Sequence, residues 1–277
     1  MSQVDRPAIG HAFPLNPLVF FNGTHVMAGH SHWAGIKHKK SLIDSKRGKL
    51  WSKLSKAIIV AAKMGGGDIE TNIRLRTAIA DAKAVSMPKD NIARAVKKGT
   101  GELAGGEVDE IIYEGYGPGG VAVMCDIMTD NRNRTAPEIR KLFEVNNGKL
   151  GSSNCVAWMF ERKGLFVIDA SKIDEEALME IAMESGADDL RNENESFEVT
   201  CEVESYSQLS EALEQAEIPV EAKQVTRIPT NVVEVTGDDA RKVLKLLEAL
   251  DEHDDVQNVS ANLNIPDDMM AELAESE

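Results

Sequence analysis

GLFVIDASKIDEEALMEIAMESGADDLRNENESFEVTCEVESYSQLSEALEQAEIPVEAKQVTRI, residues 164–228, switches repeatedly between two hydrophobic periods. Leu165–Ile168 is a short apolar run, and Asp174 is placed to cap a helix behind it. Residues around Phe197–Val203 alternate as a strand does. Ser205 with Gln208 three residues on has the spacing of a capping box before a second helix, and a last strand follows. The order βαββαβ predicts a ferredoxin-like unit.

The flanks read as one separate layer. On the N-terminal side, Ile111–Tyr113 leads into Gly115-Tyr-Gly-Pro-Gly-Gly120 and then Val121–Met128, a β-hairpin. Thr135 with Glu138 is a second capping-box pair, and it opens a helix carrying Ile139, Leu142 and Phe143 that Asn147-Gly148 closes. On the C-terminal side, Asn231–Leu263 gives strand, helix (Val243, Leu244, Leu247, Leu250) and strand, able to pair back on the hairpin. The ferredoxin-like unit is then an insertion. Val156–Phe160 and Leu165–Ile168 flank Glu161–Gly164 either as a hairpin or as one strand crossing between domains.

Before the hairpin lie three helices with short connections. Asp44 caps the first, which Gly65-Gly66-Gly67 stops near Met64; Asp68 caps the second; Pro88 opens a third that ends at Gly99. The expected class is α+β in three domains: an N-terminal helical bundle, an α/β domain and an inserted ferredoxin-like α+β domain. The expected bounds are 27–105 for the bundle, 106–162 plus 230–265 for the α/β domain, and 163–229 for the insertion. Residues 1–26 read as a disordered extension or as a mis-assigned start, with Met27 the functional beginning, and 266–277 as an acidic tail.

The formal charge of −15 conceals a segregation. Residues 27–101 hold 16 Lys+Arg against 5 Asp+Glu, whereas residues 102–277 hold 14 against 40. A cationic quarter on a polyanion points to a nucleic-acid or acidic partner. At 100° per residue, Lys46, Lys49, Lys53, Lys56 and Lys63 share an arc of roughly 100°. Like charges stacked this way cost a few tenths of a kcal/mol per pair, an expense without a folding rationale unless an anion neutralises it. Lys37, Lys39, Lys40 and Arg47 lie at or before the helix start, where the backbone dipole is already positive. The second helix adds Arg74 and Arg76, and the third Arg94, Lys97 and Lys98. Outside this domain, Asp130-Asn-Arg-Asn-Arg-Thr135 sets Arg132 and Arg134 beside a helix start. They could bind an anion or bridge to neighbouring acidic groups.

Other chemistries fit poorly. Gly115, Gly117 and Gly120 match G-x-G-x-x-G, but a strand follows where a dinucleotide site needs a helix. Gly65–Asp68 reads as a helix stop and start, with no Lys-Ser/Thr pair after it. His30, His32 and His38 have neighbouring lysines and no acidic or thiol ligand, so no metal is expected. Cys125, Cys155 and Cys201 are odd in number and lack C-x-x-C spacing, consistent with a reducing cytoplasm. No run approaches the roughly 20 apolar residues that span a bilayer. Asp251, Glu252, Asp254 and Asp255 read as a solvated helix end, and Trp33, Trp51 and Trp158 as core or seam anchors. No cofactor, small-molecule substrate or enzymatic activity is expected.

Met27-Ala-Gly-His-Ser-His-Trp-Ala-Gly-Ile-Lys-His-Lys-Lys40 resembles the opening of the YebC/PmpR proteins. So do Gly65-Gly-Gly-Asp68, Arg74-Leu-Arg76, Met87-Pro-Lys-Asp-Asn91 and Thr129-Asp-Asn-Arg-Asn-Arg-Thr135. The resemblance runs from Met27 to about Leu263. It implies the same three-domain fold and a DNA-binding transcriptional regulator; its mitochondrial relatives activate translation, which implies ribosomal RNA and the ribosome as alternative partners. Lys37, Lys39, Lys40, Lys46, Arg47, Lys49 and Lys53 match the family's basic stretch, and Arg132 and Arg134 its arginine loop. His32 stands where lysine is commoner, Ile69 and Ile73 replace usual prolines, and Asn154-Cys155 replaces a Gly-Ser pair. Phosphates look alike to lysine, so sequence leaves DNA and RNA equally open.

Overall fold

The computed structural model describes residues 47–193 and 196–266. Asp44, Trp33, the three N-terminal histidines, the leader and the acidic tail beyond Pro266 lie outside them. Three helices come first, α1 (Arg47–Gly65), α2 (Ile73–Ala84) and α3 (Lys89–Gly99). Ile58 to Ala62 are buried on every side of α1, against Leu75, Ala78 and Ala82 of α2 and Ile92 and Ala95 of α3. Gly99 does more than end α3. A Cβ there would lie 2.5 Å from the Ile59 carbonyl oxygen and 2.6 Å from Ala62 Cβ, so only glycine lets α3 approach α1 this closely.

The start of α2 corrects the sequence reading. Asp68 caps only a turn, accepting from Glu70 N–H at 3.0 Å. The helix begins at Ile73, where Asn72 accepts from Leu75 N–H at 3.0 Å. Both residues are good local caps; tertiary contacts decide between them. The buried Asn72 amide also donates to the Ala61 carbonyl (2.9 Å) and the Gly66 carbonyl (2.8 Å), tying α2 to the end of α1. Asn72→Ala removes the cap and leaves two carbonyls short of a donor. It is expected to cost about 2 kcal/mol, measurable by urea unfolding, whereas Asp68→Ala should cost well under half of that.

The middle domain is built on a four-stranded sheet. Strands β1 (Asp109–Tyr116) and β2 (Ala122–Thr129) form the expected hairpin, with Tyr116 opposite Ala122. Helix α4 (Arg132–Val145) leads to the two-residue strand β3 (Lys149–Leu150), which pairs with the end of β1. After the insertion, the short β8 (Val233–Glu234), α7 (Gly237–Asp251), β9 (Val256–Ala261) and β10 (Leu263–Asn264) complete the unit. The sheet order is β3-β1-β2-β9, with β9 antiparallel to β2. Helices α4 and α7 cover one sheet face, burying Ile139, Phe143, Val243, Leu247 and Leu250 against Val123, Cys125 and Ile127. Helix α4 starts at Arg132 behind the N-cap Asn131. Thr135 is therefore inside the first turn, fully buried, instead of being the cap.

Strand β4 (Phe160–Asp169) resolves the open alternative: it is one continuous strand leaving the middle domain. With α5 (Glu175–Glu184), β5 (Ala187–Glu193), β6 (Ser196–Glu202), α6 (Tyr206–Gln215) and β7 (Val220–Pro229) it makes a sheet of order β5-β6-β4-β7. This is the ferredoxin-like arrangement. Asp174 caps α5 as expected, but Ser205 makes no side-chain cap bond. Arg227 to Asp126 (3.0 Å) and Asn258 to Thr226 (2.8 Å) tie the insertion to the middle sheet. Among the described residues, no helix is long and apolar enough to cross a membrane.

Candidate nucleic-acid interface

The middle of the α1 lysine stripe, Lys53 and Lys56, packs partly buried onto the middle domain, with exposed Lys49 and Lys63 at its edges. Lys53 Nζ donates to the Asp251 carbonyl at 2.5 Å, Lys49 to the Glu252 carbonyl at 3.4 Å and Lys56 to the Asp254 carbonyl at 3.0 Å. Lys63 reaches the Val108 carbonyl at 3.4 Å. The first three acceptors lie at or just beyond the C-terminal end of α7, where unsatisfied carbonyls concentrate negative potential. So the premise that these stacked charges lack a folding rationale does not hold. Lys56 finds its anion in Asp255, and Lys49 and Lys53 find carbonyl acceptors at the same end of α7.

Asp255 anchors this seam. Its side chain is 1 % exposed. One oxygen is ion-paired with Lys56; the other accepts from Arg134 (2.7 Å), Thr135 (2.7 Å) and Thr129 (3.2 Å). Burial pushes this carboxyl up, but the hydrogen bonds from Lys56, Thr135 and Arg134 more than offset it, holding the group well below its ordinary value. The residue read from sequence as part of a solvated helix end is instead the buried junction of α1, α4 and the α7–β9 turn. No local signal marks it, because its partners lie more than a hundred residues away in the chain.

Beside the knot lies an open cleft of about 860 Å³, bordered by Lys49, Lys56, Arg134, Lys141, Glu252 and Asp254, among others. Glu138, His253 and Asp255 bring possible metal-ligand atoms within 4.8 Å of one another. Those atoms already have partners. His253 Nδ1 accepts from Asp255 N–H at 3.1 Å, leaving Nε2 to donate to Glu138 at 3.1 Å, and two protein cations hold Asp255. The trio is a hydrogen-bond knot in which an added cation would have to displace Lys56 or Arg134.

The arginine loop bridges within the chain. Arg132 pairs with Asp109 at 2.7 Å and Arg134 with Asp255 and Asp130. Arg74 spans from α2 to Glu110 of β1 at 2.8 Å. Lys37, Lys39, Lys40 and Lys46 lie outside the described residues, as does the side chain of Arg47. Exposed Arg76 donates to the Glu70 carbonyl at 3.2 Å, and the expected contact residues Arg94, Lys97 and Lys98 form a cluster. They lie on one arc of α3, opposite buried Ile92 and Ala95, and have no ion pair among the described residues. Arg94 and Lys97 are exposed and Lys98 partly so.

Burial pushes the three thiols up, Cys201 to about 11, so none is an activated nucleophile at neutral pH. Trp51 is an anchor of the helical-bundle core, one of the two expected roles, its indole N–H on the Val85 carbonyl at 3.3 Å. Trp158 departs from that reading and is 70 % exposed. Asn154 has φ +65°, which explains why glycine suits this position and why asparagine, the next most tolerant residue there, replaces it.

Comparison with known proteins matches residues 31–102 to the TACO1/YebC protein N-terminal domain and residues 108–263 to the TACO1/YebC second and third domain. A probable transcriptional regulatory protein of Natranaerobius thermophilus is 59% identical over 247 residues, spanning 88% of this chain and 99% of the relative. One from Rhodopirellula baltica is 57% identical, spanning 89% and 100%. The crystal structure of a conserved hypothetical protein from Aquifex aeolicus shares 50% identity and superposes with a TM-score of 0.78, covering 85% of this chain and 98% of that one. Both domain descriptions match in order along one chain whose fold agrees with a close structural relative, and the chain belongs to the TACO1/YebC family.

Proposed function

We propose that this chain is a non-enzymatic, nucleic-acid-binding regulator of gene expression, acting on DNA as a transcriptional regulator. The phosphate contacts come from the exposed arc of α3, Arg94, Lys97 and Lys98, and from the basic arm with Lys37, Lys39, Lys40 and Lys46. The carrying observation is that α3 keeps its cations without an ion pair among the described residues, while the lysines of α1 are engaged within the fold. The relatives' name, transcriptional regulatory protein, supports the regulatory half of the reading. The acidic remainder repels the phosphate backbone and favours one docking orientation.

The test is recovery and sequencing of the nucleic acid crosslinked to the full-length protein in cells. Enriched, recurrent duplex sites support the transcriptional reading. Recovery of DNA without enriched sites would overturn it. Recovery of ribosomal RNA in place of DNA would move the same surface to translation.

A further inference from the structure

Trp158 is the most exposed large hydrophobic side chain among the described residues, at 70 %, and its setting is rigid. Glu114, 5 % exposed, points its carboxylate into the loop that carries the tryptophan. It accepts from three backbone N–H groups, Asn154 at 2.7 Å, Val156 at 2.9 Å and Ala157 at 2.9 Å. Val156 in the same loop is fully buried, packed with Ala122, Met124 and Phe160. The indole N–H donates to the Cys155 carbonyl at 3.3 Å, and the hydroxyl of half-exposed Tyr116 donates to the same oxygen at 3.2 Å. Two aromatic side chains are thus held over one carbonyl, on a loop clamped by a buried carboxylate.

That arrangement selects the kind of ligand. Tryptophan and tyrosine that grip an extended or proline-rich peptide use their N–H and O–H as donors to the peptide backbone. Here both donors are already spent inside the chain. What the site offers outward is exposed aromatic surface, with the exposed Lys149 opposite Tyr116 in the strand pair and exposed Ser152 and Ser153 in the same loop as Trp158. An exposed aromatic pair whose own donors are spent, near a lysine and two serines in the neighbouring strand and loop, fits a nucleobase attached to a phosphate chain. On the strength of the nucleic-acid reading above, we infer that Trp158, with Tyr116 beside it, stacks on an unpaired base, giving the protein a single-strand contact separate from the α3 phosphate face.

The experiment measures the full-length protein, wild type, Trp158→Ala and Trp158→Phe, against a fluorescent oligo-dT, an oligo-U and a duplex of equal length. Trp158→Ala is expected to weaken both single strands by about 5- to 100-fold and to leave the duplex within twofold. Trp158→Phe, which keeps a π-face, stays within about threefold of wild type on all three. Oligo-dT should also quench the intrinsic fluorescence of the wild type more than that of Trp158→Phe. The ring is solvent-exposed, so melting temperatures of the variants should match wild type. Unchanged single-strand affinity in Trp158→Ala with duplex binding intact would overturn the stacking site while the nucleic-acid reading stands, and would assign the ring to a protein partner. Equal losses on single strands and duplex, or a phenylalanine variant as weak as alanine, would also overturn it. A wild type that holds none of the three probes would sink the nucleic-acid reading itself.

Discussion

Asp255→Ala is expected to lower the unfolding free energy by about 3–5 kcal/mol, the usual consequence of removing one partner from a buried ion pair. For a chain of this size that corresponds to a fall in Tm of roughly 6–12 °C. The deletion leaves Lys56, whose side chain is only 15 % exposed, without its carboxylate, and takes one acceptor at once from Arg134, Thr135 and Thr129. Asp255→Asn keeps the shape and half of the acceptors, so it should fall between wild type and alanine. The pH dependence gives an independent check. The carboxyl is held below the ordinary aspartate value of 3.8. A group whose folded pKa is depressed contributes stability that is complete above its unfolded pKa and is lost as pH falls through the folded one. The stability gap between wild type and Asp255→Asn should therefore be flat from neutral pH down to about pH 5 and close as the pH is lowered below the ordinary aspartate value. Thermal unfolding from pH 7 to pH 2 measures it. A gap that widens on acidification would show that the seam does not depend on this ionised carboxylate.

The elements whose signal is local were legible in the sequence. The ferredoxin-like insertion follows from alternation and helical spacing within 65 consecutive residues, and the hairpin around Gly117–Gly120 from turn chemistry. Where two local candidates compete, sequence chose badly. Asp68 and Asn72 are both sound helix caps, and only the approach of Ala61 and Gly66 selects Asn72. Thr135 and Glu138 have capping-box spacing, but Asn131 starts the helix and Thr135 turns inward to Asp255. The part of the lysine stripe formed by Lys53 and Lys56 has partners the sequence did not show. Periodicity placed its charges on one face correctly, yet it carries no information about what covers that face. The answer lies 198 residues further along, at the end of α7. Glu114 was likewise invisible: a glutamate in an alternating strand gives no hint that three amide groups converge on it. Nothing in a sequence shows that its carboxylate is consumed in this way.

The α1 lysines in contact with the end of α7 and the outward-facing α3 arc make opposite predictions under charge reversal. Arg94→Glu/Lys97→Glu/Lys98→Glu replaces three cations that have no ion pair among the described residues and lie opposite the buried side of α3. The variant should fold, with its Tm within a few degrees of wild type, because surface substitutions away from buried partners usually shift stability by less than about 0.5 kcal/mol each. Its affinity for a duplex should fall by more than about a hundredfold at low salt, and the slope of log K against log salt should flatten by roughly 2–3, about 0.9 for each phosphate no longer neutralised. Lys49→Glu/Lys53→Glu/Lys56→Glu is the counterpart. It drives carboxylates against the carbonyl end of α7 and against Asp255, so its first effect should be a loss of stability, with the salt slope of any remaining folded protein unchanged. Fluorescence anisotropy over a salt series, paired with thermal melts, separates the two. If the α1 variant stayed folded and lost the salt slope while the α3 variant kept it, the phosphate face would belong to α1, and the seam would have to open for nucleic acid to enter.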